Sequence, residues 1–240
     1  MDNHGARASL ADAQAERRLT EPEAKALLVR SGIPVPKGVV IQSDAQLAGA
    51  LTIVGTPAVV KLVSSDVSHK SDVGGVVVGV TTVEEAARAT ERIRERARLH
   101  EARVEGFLVE EMVNGLELIV GGLQDPTFGP VVLIGAGGVL VEVLDDVAVG
   151  VCPISRTDAE TMIASLRANA ILRGYRGRPP LAAEAVIDIL VKLGGAAGLL
   201  LNPDYAIAEL DINPLIVRED GAVATDARLV VAGRAMAGAD

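Results

Sequence analysis

Short β-branched runs punctuate the first hundred positions. VVIQ (39–42), AVVKLV (58–63) and GVVVGV (75–80) have the composition of buried strands. Helical patterns lie between them. Thr20 stands where an N-cap belongs, with Pro22 and Glu23 in the first turn and Leu27 and Leu28 on the apolar stripe; Gly32 and Pro34 end that helix. Ser43 or Asp44 caps a second, short helix. Residues 83–98 give the clearest amphipathic pattern. Val83, Ala86, Ala87, Thr90, Ile93 and Ala97 form one face, and arginines and glutamates form the other. Residues 1–19 are polar and weakly patterned, which predicts a frayed tail or a marginal helix.

Beyond residue 105 the strand signals crowd together. FLVEEMV (107–113), LELIVGGL (116–123), VVLIG (131–135) and VLVEVL (139–144) are separated by turns rich in Gly, Asp and Pro, a spacing that predicts antiparallel hairpins. A helix is expected from Thr157 or Asp158 to about Leu166, and a longer one over 182–200. YAIAELDINPLIV (205–217), the turn REDG and AVATDARLVV (222–231) predict a closing hairpin. The fold class expected is α/β (α+β). It comprises a tail (1–19), one lobe over 20–104 and a second, largely antiparallel lobe over 105–235. A cleft between two lobes is a natural ligand site.

Composition narrows the functions open to such a fold. The 240 residues include only two Phe, two Tyr and no Trp, so stacking platforms for single-stranded nucleic acid are not expected. A formal charge of −9 argues against a phosphate-backbone binder, while leaving room for a small anion in a local basic pocket. Cys152 is the sole cysteine and sits in the apolar run VAVGVCPI, where it is expected to be a buried small hydrophobe. No run reaches the roughly 18 apolar residues of a membrane span. MDNHGARASLADAQAERR lacks an apolar h-region, so the expected compartment is the cytoplasm.

Four stretches carry candidate chemistry. In AIAELDINP, Glu209, Asp211 and Asn213 alternate with Ala208, Leu210 and Ile212. Three oxygen-bearing side chains on one strand face make either a solvated edge or a site for a hard cation such as Mg²⁺, with Asp226 in ATDA as a further oxygen. Lys61, inside an apolar strand, either snorkels to the surface or projects into the cleft to hold a phosphate. Glu110 and Glu111 precede a turn at Asn114–Gly115, and Glu117 follows; a carboxylate here suits ribose hydroxyls. IGAGGVLVE (134–142) is Gly-rich but has neither P-loop nor dinucleotide-fingerprint spacing. Between them lies SSDVSHKSDVGG (64–75), with one of the three histidines of the chain at its centre.

Taken together, VVKLVSSDVSHKSDVGGV (59–76), the stretch 110–147 beginning EEMVNGLELIVGGL, LRGYRGRPP (172–180) and AELDINPLIV…ATDARL (208–229) resemble the ATP-grasp domain of ADP-forming (NDP-forming) acyl-CoA synthetases, relatives of succinyl-CoA synthetase. The likeness spans about residues 19–232. It implies a two-lobed ATP-grasp fold with ATP/ADP and Mg²⁺ between the lobes. It implies that His69 is a phosphate carrier, with Lys70 offsetting phosphate charge and Gly74 and Gly75 letting the backbone approach. Lys61 matches the lysine on the nucleotide phosphates. Glu110, Glu111, Met112 and Val113 match the interlobe segment that meets adenine, Glu117 the ribose acid, and Gly137 and Gly138 the glycine loop. Asp211, Asn213 and Asp226 match the magnesium side. Arg173 and Arg176 match a motif to which the residues assign no role. The CoA-binding and ligase domains of the family find no counterpart in these 240 residues, so the resemblance implies a separate β subunit working with a CoA-binding α subunit in a hetero-oligomer, without nucleic acid or membrane. A non-catalytic ATP-binding regulatory module and an autonomous ATP-grasp carboxylate ligase are the other readings the sequence leaves open.

Overall fold

The structure, a computed structural model, describes residues 16–67, 69–138 and 146–232. Its strands fall into two sheets. The smaller holds β2 (Gly38–Ile41), β5 (Gly106–Glu111), β3 (Ala58–Val63) and β4 (Val76–Val80), in that spatial order. The larger runs β1 (Arg17–Arg18), β11 (Ala227–Val231), β9 (Ile207–Val217), β6 (Leu116–Asp125), β7 (Gly129–Ala136) and β8 (Val147–Val151), with β10 (Ala222–Ala224) also paired to β9. Every strand pair among the described residues is antiparallel. The expected strand over 139–144 lies outside the described residues.

Two helices cover one face of the small sheet. They are α2 (Leu47–Val54) and α3 (Val83–Leu99), joined to it through Leu47, Ile93, Val60, Leu62, Phe107 and Val109. The Thr82 hydroxyl caps α3 by accepting from the Glu85 N–H at 3.1 Å. Ala89 joins the buried stripe, whereas Val83, the first residue of the helix, stays 39% exposed. The large sheet is covered by α1 (Glu21–Arg30), α4 (Arg156–Ser165), the single turn α5 (Asn169–Leu172) and α6 (Ala183–Gly194). Each fully buried Leu, Ile or Val in these cores contributes roughly 1.5–3 kcal/mol. The thiol of Cys152 lies in the larger core, and burial pushes its pKa to about 11, as befits an inert side chain. Among the described residues no helix is long and apolar enough to cross a membrane.

Three boundaries differ from expectation. β5 lies in the small sheet between β2 and β3, so the chain passes to the large sheet after Glu111 rather than at residue 104. A single sequence-local hairpin cannot reveal this, because the partners of β5 lie 43 or more positions back along the chain. Helix α1 packs its Ala24, Leu27 and Leu28 into the core of the large sheet, although it precedes every strand of the small one. The end of the presumed tail is structured too: Arg17 and Arg18 pair with Val231 and Val230, and Leu19 is buried. Residues 182–200 do not form one helix. α6 ends at Gly194, and Leu199–Leu201 make a separate 3₁₀ turn.

Strand alternation then decides what faces the space between the sheets. On β3 and β5, Val60, Leu62, Phe107 and Val109 point to the helices, so Lys61 and Glu110 project from the opposite face. On β6 and β9, Leu118, Val120, Leu210 and Ile212 point to their own helices, which turns Glu117, Asp211 and Asn213 outward.

Candidate active site

His69 is exposed and lies on the loop between β3 and β4. With Ser71 and Asp72 it lines a cleft of about 320 Å³ whose other wall is Asp211, Asn213, Asp226 and Arg228. The loop residues that line the cleft and the acids are 139 positions or more apart in the chain, and the fold brings them face to face. The loop returns through a turn: Gly74, at φ +68°, donates its N–H to Ser71 O at 3.0 Å, and Gly75 N–H donates to Lys70 O at 2.6 Å. A Cβ on Gly75 would lie 3.0 Å from that same carbonyl, so the close approach favours glycine.

The acid wall is arranged by β9 and β11. Arg228 stands opposite Asp211 in the ladder and pairs with Glu209, so the outermost of the three oxygen-bearing residues is already neutralised. Among the described residues Asp211 has no ion-pair partner. Burial pushes its carboxyl above the ordinary aspartate range, and the charges of Asp226 and Glu209 add to this against Arg228. Asp211, Asn213 and Asp226 thus offer oxygen donors with excess negative charge, which suits Mg²⁺ shared with a phosphate. Among the described residues no cluster of three His, Cys, Asp or Glu side chains forms a cage able to hold a metal alone.

Behind this cleft the two sheets are joined by a buried charge network that was not foreseen from the sequence. Glu21 and Lys25 of α1, Lys61 of β3 and Glu110 of β5 are each 6% exposed or less. Lys25 Nζ lies 2.6 and 2.7 Å from the Glu110 oxygens, 2.7 Å from Glu21 Oε1 and 2.7 Å from the Thr225 carbonyl. Lys61 Nζ lies 2.7 Å from Glu21 Oε1 and 2.9 Å from Glu110 Oε2. Lys70 Nζ adds contacts to Glu21 Oε2 at 3.0 Å and Asp226 Oδ1 at 3.1 Å. Three ammonium groups therefore meet three carboxylates. Burial opposes the charge on Glu21, yet Lys61, Lys25 and Lys70 outweigh it and hold its carboxyl well below the usual glutamate range. Burial likewise opposes the charge on Lys61, and Glu21 and Glu110 overcome it, raising Lys61 above the ordinary lysine range. Lys25 moves the other way: burial, aided by nearby Lys61, prevails over its carboxylate partners.

This network corrects one expectation and qualifies two. The Glu110 carboxylate does not face a ribose; it is buried as the counter-charge of Lys25 and Lys61, because ammonium groups cannot be buried alone. Lys61 neither snorkels nor stands free in the cleft. Lys70 reaches the acid wall as an ion-pair partner. The sequence did hold a signal. Glu21 and Lys25 occupy the i and i+4 positions of the stripe that Ala24 and Leu28 continue, so the apolar face of α1 carries two charges.

The remaining candidates follow the connection between the sheets. The Glu111 N–H donates to Lys37 O at 2.9 Å and the Met112 N–H to Pro57 O at 3.3 Å, so both donors are engaged within the protein. Val113 leads to the turn at Asn114 and Gly115. Glu117, Gly137 and Gly138 come together: Gly137 N–H donates to Glu117 O at 2.9 Å, and Gly138, at φ +63°, lies against the Glu117 carboxylate. A larger cavity, about 1000 Å³, lies behind the turn and holds Asn114, Tyr175, Arg176, Arg178 and Arg218. Arg176 has a left-handed backbone (φ 52°) and its guanidinium sits 5.3 Å from the centre of the Tyr175 ring. None of the candidate site residues lines that cavity.

The ATP-grasp domain model matches residues 10–231, nearly the whole chain. The chain belongs to the ATP-grasp family. Among its relatives, this ATP-grasp chain is 43% identical over 230 residues to the β subunit of acetate–CoA ligase (ADP-forming) I of Pyrococcus furiosus, covering 94% of this chain and 97% of that one. Among solved structures, dinucleotide-forming acetyl-coenzyme A synthetase 1 of Ca. Korarchaeum cryptofilum, in complex with coenzyme A, Ca-AMPCP and HgCl⁺, superposes with a TM-score of 0.83 at 41% identity over 90% of this chain and 93% of that chain. A second structure of that protein, with coenzyme A and Mg-AMPPCP, is described with its phosphohistidine segment pointing towards the nucleotide-binding site; it matches at TM-score 0.74 and 39% identity over 90% and 93% of the two chains.

Proposed function

We propose that this chain is the nucleotide-binding β subunit of an ADP-forming acyl-CoA synthetase. It carries a phosphoryl group on His69 between a phosphohistidine of a CoA-binding α subunit and ADP. One observation carries the reading: an exposed imidazole on a loop faces Asp211, Asn213 and Asp226 across a single cleft. The assignment of individual residues rests on that geometry together with the names borne by the relatives.

The step needs little acid–base chemistry. A neutral imidazole nitrogen of His69 attacks the phosphorus held on the partner histidine; one N–P bond breaks as the other forms. In the second half, a terminal oxygen of the ADP β-phosphate attacks the same phosphorus, the His69 N–P bond breaks, and neutral imidazole is restored. Asp211, Asn213 and Asp226 would hold Mg²⁺, which would neutralise the charge of the phosphate oxygens. Lys70, paired with Asp226, brings positive charge to the edge of this acid wall, while Lys61 stays behind it as part of the buried network. Glu117, with Gly137 and Gly138 against it, would receive the ribose, and the segment 111–113 would meet the base. ADP, phosphate and CoA thioesters are reactants of the cytoplasm, the compartment this reading implies.

The test uses the chain with its α partner and a radiolabelled phosphoryl donor. Acid-labile label should appear on the wild-type chain and be absent from His69→Ala, whose fold should be unchanged because His69 is exposed. Equal labelling of the variant and wild type overturns the proposal. So does full acyl-CoA formation by the 240-residue chain alone.

A further inference from the structure

The loop that carries His69 is fastened at both of its feet. Ser65 donates its N–H and hydroxyl to Glu105 at 2.9 and 2.6 Å, Asp66 accepts from the Arg103 N–H at 2.9 Å, and Leu62 N–H donates to Gly75 O at 2.8 Å. All of these fasten it to the small-sheet lobe. Among the described residues, its ion pairs to the large-sheet lobe come from Lys70 alone, to Glu21 and Asp226. The Glu21 carboxylate is divided. Oε1 takes Lys25 and Lys61, and Oε2 takes Lys70. Lys70 approaches Oε2 within ion-pair distance but without the alignment of a hydrogen bond, so Oε2 is buried with Coulombic attraction as its hold on the loop.

We propose that Glu21, the first residue of α1, is a positioning residue for phosphotransfer. With one oxygen it fixes Lys61; with the other it seats the His69 loop, through Lys70, over Asp211 and Asn213. The proposal rests on the phosphotransfer reading above and adds to it a residue that touches no reactant. A carboxylate suits the task because its two charged oxygens can face different ammonium ions, Lys25 and Lys61 on Oε1 and Lys70 on Oε2.

Hydrogen exchange on the full chain, in wild type, Glu21→Gln and Lys70→Met, tests the seating. Amides of residues 69–75 should exchange about tenfold faster or more in both variants, while in Lys70→Met, which leaves the Glu21–Lys61 pair in place, those of β3 change less than about twofold. The second arm measures transfer from phosphorylated His69 to ADP. In Glu21→Gln the maximal rate should fall about tenfold or more with KM for ADP within about threefold, since a residue acting only through orientation leaves binding intact. A merely structural role would instead speed exchange throughout α1 and β3 and raise KM. If Glu21→Gln does not fold, Lys70→Met decides alone, since Lys70 is the more exposed end of the contact. Unchanged exchange over 69–75 overturns the proposal, and so does an unchanged transfer rate in Glu21→Gln. If the wild-type chain takes no acid-labile label, the phosphotransfer reading falls, and the exchange arm still decides whether Glu21 seats the loop.

Discussion

Lys25→Met removes one of three ammonium groups from the network and leaves three carboxylates. The Lys25 side chain is 6% exposed and its ammonium makes contacts of 2.6–2.7 Å to Glu110, Glu21 and the Thr225 carbonyl. Met has nearly the same length, so the loss is one of charge rather than volume. Burial penalises the Lys25 charge itself and lowers its pKa, but Met, unlike even a neutral lysine, also removes every hydrogen bond to Glu110 and Thr225; removing one member of a buried pair costs about 3–5 kcal/mol, because the partner is left as an uncompensated buried charge. For a chain of this size that is a fall in Tm of roughly 6–20 °C, at about 2–4 °C per kcal/mol. The double variant Lys25→Met/Glu110→Leu restores the balance, with Lys61 retaining Glu21, and should recover at least half of the loss. Urea denaturation of wild type, both single variants and the double variant measures the coupling as a thermodynamic cycle. A Lys25→Met unfolding free energy within about 1 kcal/mol of wild type, or a coupling near zero, would refute the claim that this network is a buried, charge-balanced unit.

Other consequences concern the acids and the glycine loop. Asp211→Asn should raise the metal-free stability near neutral pH: its folded carboxyl titrates above the ordinary range, so its charged form is penalised by folding once pH exceeds its unfolded value. The same variant should lose the thermal shift that Mg-nucleotide gives the wild type; a destabilised metal-free variant would contradict the argument. Glu21 has the opposite sign. Its folded carboxyl is depressed, so its contribution is fully present above the unfolded glutamate range near 4.5 and is lost as pH falls through lower values. Glu21→Gln should therefore flatten the acid limb of stability against pH, and an unaltered slope below pH 4.5 would count against it. Gly137→Ala places a Cβ 2.8 Å from the backbone carbonyl of Glu117, which should cost about 1–3 kcal/mol in thermal or chemical denaturation and weaken nucleotide binding; a neutral variant would show that the approach of β6 to this loop is not tight.

The local pattern of the chain was enough for most elements. AVVKLV became β3 at the same boundaries, residues 83–98 became α3 with one residue added, and Thr20 caps α1 with Glu23 bonded back to its N–H at 2.8 Å. These are decided by propensity, caps and periodicity, which act over a few residues. The alternation in AELDINP also survives intact, since a strand with one face in a core must turn Asp211 and Asn213 to the other.

Tertiary structure alone decided how those pieces meet. Which sheet takes β5 depends on strands far back in the sequence, and the pairing of Lys61 with Glu21, Lys25 with Glu110 and Lys70 with Asp226 joins positions 40, 85 and 156 apart. A side chain carries its charge in the sequence, but whether water, a ligand or another side chain answers that charge depends on what the fold excludes from its surroundings. Lys61 and Glu110 were therefore visible as candidates, and their burial against α1 became visible only when the two sheets closed on each other.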